Sequence, residues 1–128
     1  MDPQRIFDVM GDPTRRRILG LLASEGELCV CEMTAALDGI QPKISRHLSV
    51  IREAGLVLVR RERTRIFYRI DDGIPRWQHD MLDAVREGAV PELSADLQRL
   101  KQMAPRPARA IGSYKPAPEG GAGQIDRD

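Results

Sequence analysis

The stretch Gln41 to Gly55, QPKISRHLSVIREAG, limits what this chain can fold into more than any other. Pro42 suits the first helical position, where a missing N–H costs nothing, with Gln41 just ahead of it. Gly55 stands where a left-handed residue closes a helix. Between them Ile44, Leu48 and Ile51 recur at four- and three-residue spacing and give one buried stripe. Lys43, Ser45, Arg46, Ser49 and Arg52 are left on or near the open side. A helix that enters a DNA groove needs this mixture: short hydroxyls and amides for base edges, cations for phosphates. An ordinary solvated amphipathic helix would look similar, so the flanking segments have to decide.

Upstream, Glu27 to Asp38, ELCVCEMTAALD, reads as a helix whose buried face is Val30, Met33 and Leu37. It stops at Gly39, with only Ile40 and Gln41 before the next helix, and a turn that tight makes a helix-turn-helix. Downstream, LVLVRR and RIFYRI are short runs rich in β-branched and aromatic residues, separated by Glu62, Arg63 and Thr64. They read as a β-hairpin carrying Arg60, Arg61, Arg63, Arg65 and Arg69. A basic hairpin behind such a helix is a wing. Charge agrees with this. The net charge of the 128 residues is only +1, yet between Gln41 and Ile70 eight Lys/Arg face two acids. Basic character confined to one region is the footprint of a nucleic-acid binder.

The ends of the chain add apolar helices. Pro3 to Met10 presents Ile6, Phe7 and Met10 and is too short to stand alone. Asp12-Pro13 opens a second helix, with Asp as N-cap and Ile18, Leu21 and Leu22 on its buried side. Its Arg15, Arg16 and Arg17 could hold phosphate, but such runs more often pair with acids. From Pro75, Trp77, Met81 and Val85 form a stripe; Pro91 should break or kink that helix, and Leu93, Leu97 and Leu100 resume the pattern to about Met103. Leftover apolar helices at both ends point to a homodimer formed through them. The expected architecture is therefore mainly α with a β-hairpin wing (α+β), a winged helix-turn-helix over residues 1–104. Residues 105–128, rich in Pro, Gly and Ala, are expected to be a disordered tail. No apolar run approaches a membrane span and the N-terminus lacks a signal-peptide pattern, so a cytoplasmic location is expected. No constellation for catalysis is present.

Cys29 and Cys31 flank Val30. If Val30 points to the core, both thiols sit on the shoulders of the helix, partly open to solvent. Residues i and i+2 lie about 200° apart on a regular helix, so gripping one soft atom with both sulfurs requires the first turn to be unwound. Helix N-termini favour the thiolate, which binds metals and metalloids. On this reading, ligand capture deforms the helix that positions the reading helix.

The segment ELCVCEM, followed by QPKISRHLSVIREAGLVLVRRERTRIFYRI, resembles the arsenic-responsive repressors of the ArsR/SmtB family over roughly residues 3 to 100. The resemblance implies a homodimeric winged helix that represses its own operon at an inverted repeat. It would let go when trivalent arsenic or antimony binds the cysteines. Family members often carry a third cysteine three residues after the second; here that position is Thr34. They also often have glycine at the wing tip, where this chain has Arg63 or Thr64.

The expected sites follow. Cys29 and Cys31 are the metalloid ligands, with Thr34 and Glu32 the candidates for a third. Operator DNA is met by Gln41, Lys43, Ser45, Arg46, His47, Ser49 and Arg52, and Arg61, Arg63 and Arg65 hold phosphates or the flanking minor groove. No permanent cofactor is expected, and the inducer is arsenite or antimonite. Methylarsenite is the alternative, since two thiolates saturate it. The rivals are a sensor of zinc, cadmium or copper, which wants about four ligands, and a thiol redox switch.

Overall fold

The computed structural model describes residues 2–107. Helix α1 (Pro3–Met10) is capped by Asp2, and α2 (Pro13–Glu25) by Asp12, whose Oδ1 accepts from the N–H groups of Thr14 at 2.8 Å and Arg15 at 3.1 Å. Strand β1 (Glu27–Cys29) follows, then α3 (Val30–Leu37) and α4 (Gln41–Glu53). Strands β2 (Val57–Glu62) and β3 (Arg65–Ile70) form the wing. Helix α5 (Arg76–Ala84) runs into a π-helical turn, Val85–Ala89, and α6 (Leu93–Gln102) completes the described chain. The described residues form a winged helix-turn-helix: six α-helices and one three-stranded antiparallel sheet ordered β1-β3-β2.

One core holds these elements together. Ile18 and Leu22 of α2, Met33 of α3, Leu48 and Ile51 of α4, and Leu28, Leu56 and Phe67 around the sheet are all essentially without solvent contact. The stripe of α4 packs as its spacing requires: Ile44, Leu48 and Ile51 are the buried residues of that helix. Asp96 fastens α6 to the rest. It is fully buried, and it receives Arg17 Nε at 3.0 Å and Arg17 Nη2 at 2.7 Å. Arg99 also bonds Asp96 and donates Nε to the carbonyl of Ala36 at 2.7 Å. A buried carboxylate is tolerated when it is paired in this way. No helix among the described residues is long and apolar enough to cross a membrane.

Four expectations from the sequence need correction. The helix expected over Glu27–Asp38 begins only at Val30. Glu27, Leu28 and Cys29 instead pair with Arg69, Tyr68 and Phe67 of β3. A strand edge 38 to 42 residues away, visible only in the fold, overrides the local helical pattern. The wing is thus part of a three-stranded sheet and not a free hairpin. Val30 is half-buried, and the buried face of α3 is Glu32, Met33, Ala36 and Leu37. Of the stripe expected from Trp77, Met81 and Val85, Val85 is buried and Met81 half-buried, but α5 buries Gln78 and Leu82 and leaves Trp77 at 42% exposure. The tail expected from residue 105 lies outside the described residues from 108 onward. Its first residues are placed: Arg106 reaches the carboxylates of Glu32 and Glu25, and Pro107 is buried.

Candidate functional site

The cysteines sit where the chain changes from strand to helix. Cys29 is the last residue of β1 and the N-cap of α3, with extended backbone at φ −87° and ψ 167°, and Cys31 lies in the first helical turn. Extended and helical residues aim their side chains by different rules. The change between them turns both sulfurs to one side, with Cα atoms 5.4 Å apart and the sulfurs joined as a disulfide. No unwinding of a regular helix is needed, so the helix distortion expected from the sequence is not what brings the sulfurs together. Cys29 is also buried, at 1% exposure, and does not sit on an open shoulder; Cys31 is half-buried.

The junction is tightly tied. Glu32, fully buried, accepts the Cys29 N–H on Oε1 at 2.9 Å and Arg106 Nε on Oε2 at 2.7 Å. The Cys29 sulfur meets the backbone N–H of Glu32 in return, which closes a capping box. Thr34 donates its hydroxyl to the carbonyl of Val30 at 2.8 Å. Both residues expected as a third ligand are therefore held by other groups. The group that does reach a cysteine comes from the wing: Arg65 Nη1 donates to Cys31 Sγ at 3.4 Å. Among the described residues, no group of three or more His, Cys, Asp or Glu is gathered to hold a metal ion.

The basic surface divides into cations in solvent and cations used by the fold. On α4, Gln41, Lys43, Arg46, Ser49 and Arg52 are exposed, and Ser45 is half-buried. The Ser49 hydroxyl donates to the Ser45 carbonyl at 3.2 Å, which leaves its oxygen able to accept. His47 is half-buried and its Nδ1 accepts from Arg15 Nε at 3.2 Å, so its ring is used between α2 and α4. Burial, with Arg15, Lys43 and Arg46 close by, pushes the imidazole below its ordinary value against the opposing pull of Asp12. Burial would raise the Asp12 carboxyl, but the Arg15 and Thr14 N–H groups and the charges of His47 and Arg15 hold it low.

On the wing, Arg61, Arg63 and Arg65 are exposed, and Arg63 takes a left-handed backbone at φ 58° in the turn between β2 and β3. Arg60 and Arg69 are not part of that surface. Arg60 makes a two-point bond to Glu27, at 2.7 Å and 2.8 Å, reaches Glu62 at 2.7 Å and lies over the Phe67 ring. Its hydrogen bond to Glu27 raises its already high pKa. Arg69 is 3% exposed. Sequence reasoning missed the Arg15–His47, Arg106–Glu32 and Arg65–Cys31 contacts, all made by residues far apart in the chain.

A third feature lies at the ends. Phe7 on α1 and Trp77 on α5 stack with ring centroids 6.1 Å apart, and both stay largely in solvent, at 57% and 42%. These aromatics and Ile40 are the large apolar side chains left exposed among the described residues.

Comparison with known proteins gives a consistent picture. The family described as "Bacterial regulatory protein, arsR family" matches residues 12–58. The "Arsenic resistance transcriptional regulator ArsR1" of Pseudomonas putida KT2440 is 45% identical over 111 residues, covering 87% of this chain and 87% of that protein. Among solved structures, HlyU from Vibrio cholerae N16961 matches with a TM-score of 0.59 and 27% identity, over 66% of this chain and 88% of that one. The AntR antimony-specific transcriptional repressor matches with a TM-score of 0.53 and 29% identity, over 61% of this chain and 68% of that one.

Proposed function

The chain belongs to the arsR family of bacterial regulatory proteins, and from that premise we propose that it is a dimeric repressor released from operator DNA when trivalent arsenic or antimony is captured by Cys29 and Cys31. One observation carries this reading: the strand-to-helix change at Cys29 sets two sulfurs side by side at the end of a strand that is hydrogen-bonded to the wing. Two soft donors side by side suit a thiophilic metalloid. The names of the relatives agree, since ArsR1 is an arsenic resistance regulator and AntR is described as antimony-specific.

DNA binding rests on the exposed face of α4, with Gln41, Lys43, Ser45, Arg46, Ser49 and Arg52 toward the groove and Arg61, Arg63 and Arg65 on flanking phosphates. His47 orients α4 through Arg15 and reaches DNA only with the edge that this contact leaves open. The stacked, exposed Phe7 and Trp77 supply the apolar surface on which a second copy docks. Ligand capture acts through the sheet. A change at Cys29 is a change at Phe67 of β3, its partner in the ladder, and so it reaches the wing first.

The test is a gel-shift titration. Cys29→Ser and Cys31→Ser bind operator as the reduced parent does and are not released by arsenite or antimonite. A serine variant released at the parent's inducer concentration contradicts the two-thiolate sensor. Arg46→Ala weakens operator binding by about 1–2 kcal/mol and blurs sequence discrimination; unchanged affinity contradicts the assignment of α4. The disulfide supports a second reading, in which oxidation of the pair is itself the signal. That reading requires the oxidised and reduced parent to differ in operator affinity with no metalloid present.

A further inference from the structure

Trivalent arsenic makes three bonds, and the chain has two cysteines in all. An organoarsenical, with one valence filled by carbon, is saturated by two thiolates. Inorganic arsenite keeps one hydroxyl. The exchange is a substitution with no change of oxidation state: As(OH)3 and two thiols give a bis-thiolato arsenic hydroxide and two waters, each thiol proton leaving on a hydroxide. It requires the reduced pair, so the disulfide must first take two electrons from a reductant: two thiols give their protons as well and become a disulfide, whereas a phosphine becomes its oxide and water supplies the oxygen and both protons. What meets the remaining hydroxyl then decides how well arsenite is held.

Both residues expected to meet it already hold other groups, and neither has an N–H or O–H left to donate to it. Glu32 spends one oxygen on the Cys29 N–H and the other on Arg106, and Thr34 bonds the Val30 carbonyl. Arg65 stands at the sulfur instead, with Nη1 3.4 Å from Cys31 Sγ on an exposed side chain. A neutral sulfur is a weak acceptor, while a guanidinium offers five N–H donors in a plane. An oxygen held on arsenic between the two sulfurs is the better acceptor within its reach.

We propose that Arg65 recognises the third substituent on arsenic: it donates an N–H to the hydroxyl that arsenite retains, and so lets a two-cysteine site hold the inorganic form. The inference rests on the reading of Cys29 and Cys31 as the capturing thiols. It also gives ligand binding the correct sign for a repressor. Arg65 opens β3, beside the wing tip, and a guanidinium drawn to the arsenic oxygen is withdrawn from DNA phosphate.

The experiment uses the full chain, reduced with a phosphine, freed of the reductant and without DNA. Binding of arsenite and of phenylarsine oxide is followed by calorimetry in the parent, Arg65→Gln and Arg65→Lys. Arg65→Gln is expected to weaken arsenite about tenfold, equivalent to about 1.4 kcal/mol, and to leave phenylarsine oxide within about twofold. Arg65→Lys, which keeps a donor, recovers part of the arsenite affinity. Phenylarsine oxide binding also reports that each variant is folded. Equal loss for both ligands, loss for neither, or loss confined to phenylarsine oxide overturns the role of Arg65. Binding of both ligands undiminished in Cys29→Ser and Cys31→Ser overturns the underlying reading of the thiols instead.

Discussion

Along α4, Lys43, Arg46 and Arg52 stand in solvent, and the helix is held by its inner stripe of Ile44, Leu48 and Ile51 with His47 bonded to Arg15. At the junction of β1 and α3 the reverse holds. Cys29 and Glu32 are buried, both oxygens of Glu32 are engaged, and the strand is tied to β3. One region leaves its polar groups for a partner to satisfy, and the other satisfies them internally. A surface that must meet DNA cannot commit its donors beforehand. A sensor must be rigid enough that a change of a few tenths of an ångström at sulfur moves something else, and packed, hydrogen-bonded junctions transmit strain in that way.

The largest effect is expected at Glu32. Glu32→Ala leaves the Cys29 N–H without its acceptor and Arg106 without a carboxylate it bonds. We expect it to lower stability in urea by about 2 kcal/mol, the value of hydrogen bonds to a charged group. The folded protein should keep operator affinity. A variant as stable as the parent would mean that the junction is not tied as described. At the wing tip the opposite is expected. Arg63 holds φ at 58°, where a side chain is strained and glycine is not. Arg63→Gly should gain roughly 0.5–1 kcal/mol of stability while weakening operator binding and lowering its salt slope by about 1. Stability and DNA binding moving in the same direction would contradict this.

A smaller effect is expected at His47, which belongs to both plans. Its imidazole sits below the ordinary value of 6.5 because burial and nearby cations disfavour the charged form. The unfolded chain therefore binds the proton more readily, and the stability this group confers is present above 6.5 and lost as pH falls through the lower folded value. The urea midpoint of the parent should drop between pH 7.5 and 5.5 by more than that of His47→Asn. Equal drops would remove His47 as the cause.

The two regions were also unequally legible in the sequence. Helix α4 and its faces follow from residues three and four apart, and its cap, stripe and closing Gly55 all lie within one short window. Strand β1 is invisible on that scale. Val30, Met33 and Leu37 mimic one helical face through the junction, and the pairing that makes Glu27–Cys29 a strand comes from Phe67 to Arg69. The buried carboxylate of Glu32 was equally hidden, since its partner Arg106 lies in a stretch whose composition reads as tail. Of the wing's arginines the sequence could count charges but could not separate Arg60, folded onto Glu27, from Arg61 and Arg63 in solvent. Short-range periodicity reports elements; it says little about which distant groups meet.

On the proposed function, a ligand on Cys29 and Cys31 is felt first in the wing, through the β1–β3 ladder. Amide hydrogen exchange on the reduced, DNA-free protein, with and without phenylarsine oxide, tests it most directly. Protection is expected to change at residues 27–29 and 65–70 and to change less at 41–53. Altered exchange along 41–53 with 65–70 unchanged would contradict it.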